Sequence, residues 1–152
     1  MKIDTMRKVD YFAGIPLCFL ATLLVRLVDL FAGRRFQRPR KVLFIELSEM
    51  GSAILADPAM RKMRREGNAE LYFVIFKSNA ASLRLLNTIP ETHVFTIRAD
   101  GLLNLAVDSL RFLFWTRRRR IDTVIDLELF SRYSALLTGL SGAANRIGFH
   151  AF

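Results

Sequence analysis

The sequence predicts an α/β fold: a Rossmann-like parallel sheet with flanking helices, preceded by an apolar N-terminal helix. Three observations carry this. Short apolar runs of the kind buried in parallel sheets recur along the chain from Lys41 onward. Helical stretches alternate with them, which favours parallel strands joined by crossover helices. The 152 residues, 52% hydrophobic, suffice for one domain with a real core and are too apolar for a disordered chain.

The N-terminal element is Tyr11 to Gly33, with an apolar core from Ile15 to Val25 broken by Arg26 and Asp29, which are spaced to pair on one helical face. Basic residues flank it: Lys2, Arg7 and Lys8 before, then Arg34, Arg35, Arg38, Arg40 and Lys41. A spanning helix needs roughly 20 apolar residues, so this stretch is borderline and the charged pair makes spanning expensive. A helix in the headgroup region tolerates that pair and sets its basic flanks on anionic lipid. Three readings compete: a membrane anchor (interfacial or spanning), a buried core helix, and a secretory signal. The last lacks a small-x-small cleavage site, and Asp4 and Asp10 dilute its basic region. Residues 1–33 are thus expected to form a membrane-associating helix, 34–40 a basic linker and 41–152 the folded domain.

Within that domain Lys41 to Leu47 is the first strand, followed by the loop Ser48-Glu49-Met50-Gly51-Ser52 and a helix from Ala53 to Glu66 that stops at Gly67. Leu71 to Phe76 is the second strand, and Ala80 to Leu86 a short helix closed by Asn87 and Pro90. His93 to Ile97 makes the third strand. Leu102 to Arg118 is a long helix whose apolar face is expected on Leu103, Ala106, Val107, Leu110 and Phe114. Ile121 to Leu127 is the fourth strand, Ser131 to Leu140 a helix with Ser131 readable as its N-cap, and Arg146 to Phe149 begins a fifth strand.

In such sheets the ligand lies beyond the carboxyl ends of the strands. Function is therefore expected in Glu46 to Ser52, Lys77 to Asn79, Arg98 to Gly101, Glu128 to Arg132 and around His150. The first strand-to-helix loop is the strongest signal: Gly51 allows a sharp turn and close approach of a ligand, and the following helix N-terminus favours a phosphate or carboxylate. Neither G-x-G-x-x-G nor G-x-x-x-x-G-K-[ST] occurs, so the usual dinucleotide and triphosphate cradles are absent. Glu46 and Glu49 read either as a general base toward a hydroxyl or as solvated loop charges. Of Asp126 and Glu128, one is placed to face the cleft and the other to cap a helix. The lone Cys18 forms no disulfide within the chain, and with only His93 and His150 far apart no metal site is expected. The net charge of +9 favours anionic partners. The basic run Arg117 to Arg120 suits a helix C-terminus and, beside Phe112, Phe114 and Trp115, also a membrane surface. No nucleic-acid module is present, so no nucleic-acid partner is expected.

Two segments resemble a known family. KVLFIELSEMGSAILADPAMRKMRRE is similar to the opening of glycosyltransferase family 9, the ADP-heptose:lipopolysaccharide heptosyltransferases: a strand, a Ser-x-x-Gly loop, then a helix bearing Pro58-Ala59-Met60-Arg61. IDTVIDLELFSRYSALLTGLSGAANRIGF resembles a second hallmark, an Asp-rich strand and a Ser-Ala-Leu-Leu helix, then a small-residue turn into Arg-Ile-Gly-Phe. The resemblance implies the N-terminal, acceptor-side half of a GT-B fold. It implies inverting transfer from a nucleoside-diphosphate sugar to a cell-envelope glycolipid acceptor without a metal-bound DxD site. The donor would be bound mainly by a second domain absent from this chain. Where the family carries Asp after the loop glycine, this chain has Ser52, so Glu49 is the expected catalytic base, with Ser48, Gly51, Ser52, Glu128, Arg132 and Arg146 as substrate contacts. Arg132 and Arg146 also read as plain surface arginines. Family enzymes are about twice this length, as two domains require, so this chain alone is not expected to turn over. The expected setting is the cytoplasmic face of the inner membrane, with an anionic membrane surface as partner and self-association through the incomplete sheet. The alternative is a non-catalytic, membrane-anchored module binding an acidic glycolipid or a protein partner.

Overall fold

A computed structural model describes residues 14–32, 38–48, 50–129 and 131–149. Strands β1 (Lys41–Ile45), β2 (Glu70–Phe76), β3 (Val94–Ile97), β4 (Thr123–Asp126) and β5 (Asn145–Ile147) form one sheet in the order β3-β2-β1-β4-β5. Every pairing is parallel, with Ile45 in register with both Val74 and Asp126, and Ile125 with Ile147. The helices are α1 (Gly14–Ala32), α2 (Met50–Gly67), α3 (Ala81–Leu86), α4 (Leu102–Arg119) and α5 (Arg132–Leu140).

The central strands are apolar on both faces because both faces are covered. Val42 and Phe44 of β1, with Phe73 and Ile75 of β2, pack on Met60 of α2 and Leu83 of α3. Leu43, Ile45, Tyr72 and Val74 face the other way, against Phe112 of α4 and Leu137 of α5. The start of β1 is fixed by the Asp122 carboxylate, which accepts from the Lys41 amide at 2.8 Å and the Arg40 amide at 3.1 Å. Asn87 and Arg120 end their helices in the left-handed conformation. Ser131 caps α5, its hydroxyl accepting from the Ser134 amide at 3.3 Å. His93 is a packing residue, its ring stacked on Tyr72 at 4.4 Å.

Three expectations are corrected. The face of α4 carrying Leu103, Ala106, Leu110 and Phe114 is exposed, and the buried residues are Asp108, Phe112 and Thr116. Asp108 belongs inside because it receives the Arg98 guanidinium at 2.8 and 2.9 Å and the Arg98 amide at 3.0 Å. On α1, Asp29 pairs with Arg146 of β5, whereas Arg26 is exposed. Finally α2 begins at Met50, so Gly51 and Ser52 belong to its first turn. A Cβ on Gly51 would meet nothing within 4 Å, so no steric demand selects glycine there.

The helix α1 is not a core helix: 6% of its apolar window Gly14–Phe31 is buried, although that window is long and apolar enough to cross a membrane. It packs along α5, with the Cys18 thiol 3.7 Å from the Arg132 carbonyl and Val25 against Gly139.

Candidate functional site

The strand order reverses direction between β1 and β4, and an open α/β sheet forms its ligand crevice at such a point, beyond the strand ends. The chain leaving β1 there is held from both sides. Glu128, just past β4, accepts from the Leu47 amide and the Ser48 amide, both at 2.7 Å, and from the Ser48 hydroxyl at 2.8 Å. From the other side the Asn79 side-chain amide donates to the Leu47 carbonyl at 3.0 Å and the Ser48 carbonyl at 2.9 Å. Residues some eighty positions apart in sequence therefore fix the backbone that delivers the chain into the N-terminus of α2.

Asp126 forms the floor on the β4 side. Its carboxylate accepts from the Glu128 amide at 3.1 Å and from the Thr138 hydroxyl at 3.5 Å. Burial pushes its pKa up to about 6, against the lowering effect of hydrogen bonds from Ser134 and the Glu128 backbone. Gly148, just beyond β5, passes so close that an added Cβ would lie 3.2 Å from the Asp126 Cβ. A side chain at the glycine of the Arg-Ile-Gly-Phe segment would therefore need Asp126 to give way by a few tenths of an ångström. Glu46 is buried at 2% exposure rather than solvated, which corrects one of its two sequence readings.

Of the residues singled out from sequence, Ser48 and Glu128 are in contact at this edge, and Gly51 and Ser52 lie in the first turn of α2. Glu49 and His150 lie outside the described residues. Arg146 is not brought there: its guanidinium is engaged by Asp29 and the Gly139 carbonyl, on the face covered by α1 and α5. Arg132 opens α5, and its carbonyl faces Cys18. Arg98 is engaged by Asp108. Arg61 of the Pro-Ala-x-Arg element is structural, pairing with Asp57 at 2.7 Å, while Asp57 also accepts from the Thr88 hydroxyl. Asn79 is the residue that sequence reasoning did not single out. Its one signal was its place directly after β2, in a segment expected to line the crevice. Among the described residues no group of three His, Cys, Asp or Glu side chains is placed to hold a metal ion.

Fold and site together define an open α/β domain with its candidate site at the β1–β4 switch point and no glycine-rich phosphate loop. Among solved structures it is similar to the glycosyl transferase family 9 protein from Veillonella parvula DSM 2008, at 18% sequence identity and a TM-score of 0.55. The match covers 70% of this chain and 31% of that one, and at this identity the likeness is one of fold. No family model and no curated protein matches the chain.

Proposed function

We propose that this chain is the acceptor-side domain of a membrane-associated glycosyltransferase of the family 9 kind. Its partner reaction would be transfer of a heptose-like sugar from a nucleoside-diphosphate sugar to a cell-envelope glycolipid at the cytoplasmic face of the inner membrane. The observation that carries the reading is the doubly clamped loop after β1, held by Glu128 and Asn79 at the switch point of a sheet similar to a family 9 transferase. A fixed loop at a helix N-terminus suits an acceptor hydroxyl beside a phosphate or carboxylate, because orientation is what such a domain contributes to transfer. The solved chain extends well beyond the matched part, so transfer itself is proposed for an assembly that includes a donor-binding domain. Glu49 is the proposed base, with Ser48, Gly51 and Ser52 lining the acceptor.

A second reading, a non-catalytic binding module, is favoured by one observation: Glu128, expected among the substrate contacts, is engaged by the loop and shapes the site. Titrating the isotopically labelled chain with a phosphorylated oligosaccharide tests the site common to both readings. Amide shifts should concentrate on Ser48, Gly51, Ser52 and Glu128, and shifts confined to other regions sink the assignment. Sugar transfer by membranes from the source cells, lost on Glu49→Gln, separates the transferase from the module. Transfer untouched by that change removes Glu49 as the base.

A further inference from the structure

The exposed side of α1 is more apolar than its packed side. Its half-buried or buried stripe is Gly14, Cys18, Ala21, Val25 and Asp29, mostly small or polar residues that let α5 approach closely. On the opposite side Leu20, Leu23, Leu27 and Leu30 are all exposed. A helix serving only a water-soluble fold places its large apolar side chains the other way. The same inversion recurs in α4, where Asp108 and Thr116 are buried while Leu103, Leu110 and Phe114 are 78, 69 and 68% exposed, with Arg111 and Arg118 exposed nearby. These helices share one layer. Both α4 and α5 pack on the same face of the sheet, and α1 continues that layer, packed along α5 and tied to β5 through Asp29 and Arg146. Arg117 bridges α4 to the end of α5, donating to the Leu140 carbonyl at 2.9 Å.

We propose that α1 and α4 together form a docking surface for an anionic bilayer, with α1 lying in the membrane plane instead of crossing it. This rests on the membrane association proposed above and is independent of sugar transfer. Length does not decide between the two geometries: 19 residues span roughly 28 Å, close to a hydrocarbon core of about 30 Å. The docking decides. Cys18 meets the start of α5 and Val25 meets Gly139 near its end, so the two helices run parallel and in contact over most of α5. Crossing a bilayer in this arrangement would carry the Asp29–Arg146 pair and the outer edge of β5 into hydrocarbon, where backbone groups find no partner. In the plane, the leucines of α1 and the outer row of α4 enter the acyl boundary while arginines stay among the headgroups. The strand axes then run along the membrane, and the loop edge with Ser48 and Glu128 opens sideways at headgroup level, where a lipid-linked acceptor presents its sugar.

The test uses the full chain carrying Cys18→Ser, with single cysteines introduced at Leu20, Leu23, Leu27, Leu30 or Leu110 and labelled with an environment-sensitive fluorophore. Vesicles of about 70:30 phosphatidylcholine:phosphatidylglycerol supply the anionic surface. In-plane docking predicts that all these positions become apolar on binding and are quenched more by lipid nitroxides near the headgroup than by those near the chain end. Deepest quenching at Leu23, with Leu110 left in water, would overturn the in-plane geometry while leaving membrane association intact. No blue shift anywhere and no co-sedimentation would overturn both. A label-free measurement guards against perturbation by the probe: the Leu103→Ser, Leu110→Ser, Phe114→Ser triple variant should co-sediment about tenfold more weakly than the parent. Unchanged co-sedimentation removes α4 from the surface.

Discussion

Glu128 accepts from two backbone amides at once, so its replacements are expected to differ in a characteristic way. Glu128→Ala leaves the buried Leu47 amide without its carboxylate acceptor and should cost about 1–3 kcal/mol, whereas Glu128→Gln retains an acceptor oxygen and should cost less. Thermal unfolding gives the size, and faster amide exchange at Leu47 and Ser48 gives the place; an alanine variant matching the parent in both would show the clamp to be unimportant. Asp126 makes the opposite kind of statement. Its pKa stands at about 6 against an ordinary 3.8, so the folded state prefers the protonated acid. Its contribution is fully favourable below about pH 4 and is lost as pH rises through 6. Asp126→Asn should therefore raise stability near pH 7.5 by about 1–3 kcal/mol and flatten the stability profile between pH 4 and 6. An unchanged profile would mean that the carboxylate is better solvated than its burial implies. Glu128 could be found from sequence because it follows a strand at the edge where ligands gather. Its bond to Ser48 could not, since nothing local links positions eighty residues apart.

At the scale of elements, α4 shows where periodicity misleads. Two stripes run along it, and the more apolar, with Leu103, Leu110 and Phe114, faces outward. The stripe that packs on the sheet contains Asp108 and Thr116, which are admitted by hydrogen bonds from Arg98 and to the Ser141 carbonyl. Hydropathy alone favours the wrong stripe because it cannot see a distant guanidinium that makes a buried carboxylate tolerable. Arg98 holds the Asp108 pKa down at about 2, so this pair stabilises the fold above about pH 4 and loses its effect as pH falls through 2. That window lies below the one set by Asp126 and has the opposite sign. Because the Arg98 side chain is about a third exposed, solvent screening limits the pair, and Asp108→Asn should cost about 1–2 kcal/mol at pH 7. Acid titration of parent and variant should converge near pH 2, and parallel curves throughout would overturn the assignment. The same lesson holds for α1: Arg26 and Asp29 have the spacing of a local pair, yet Asp29 turns to Arg146 because it lies on the stripe that packs against the domain. Replacing Gly139 by Leu should wedge the two helices apart and speed maleimide alkylation of Cys18, which sits in their interface.

For the molecule as a whole, the fold was legible because strands buried on both faces must be apolar throughout, and their alternation with helices leaves a parallel sheet as the economical arrangement. The orientation of that fold toward its surroundings was less legible, since the composition of a lipid-facing stripe matches that of a core stripe. Charge offers an independent handle on it. The chain carries a net +9, and Arg111 and Arg118 are both exposed on α4 beside its outer apolar row. Each basic side chain held near an anionic surface contributes about 1 kcal/mol, so the Arg111→Gln, Arg118→Gln double variant should bind anionic vesicles about 10- to 30-fold more weakly. Salt should act on the parent in the same direction, because the screening length shrinks from roughly 10 Å at 0.1 M to about 3 Å at 1 M. The apolar insertion of α1 and α4 is not screened, so binding should level off at high salt instead of vanishing. Co-sedimentation across a salt series separates the contributions. Loss of all binding at high salt would reduce the surface to its arginines, and indifference to both salt and the double variant would leave only the apolar helices holding the protein to the bilayer.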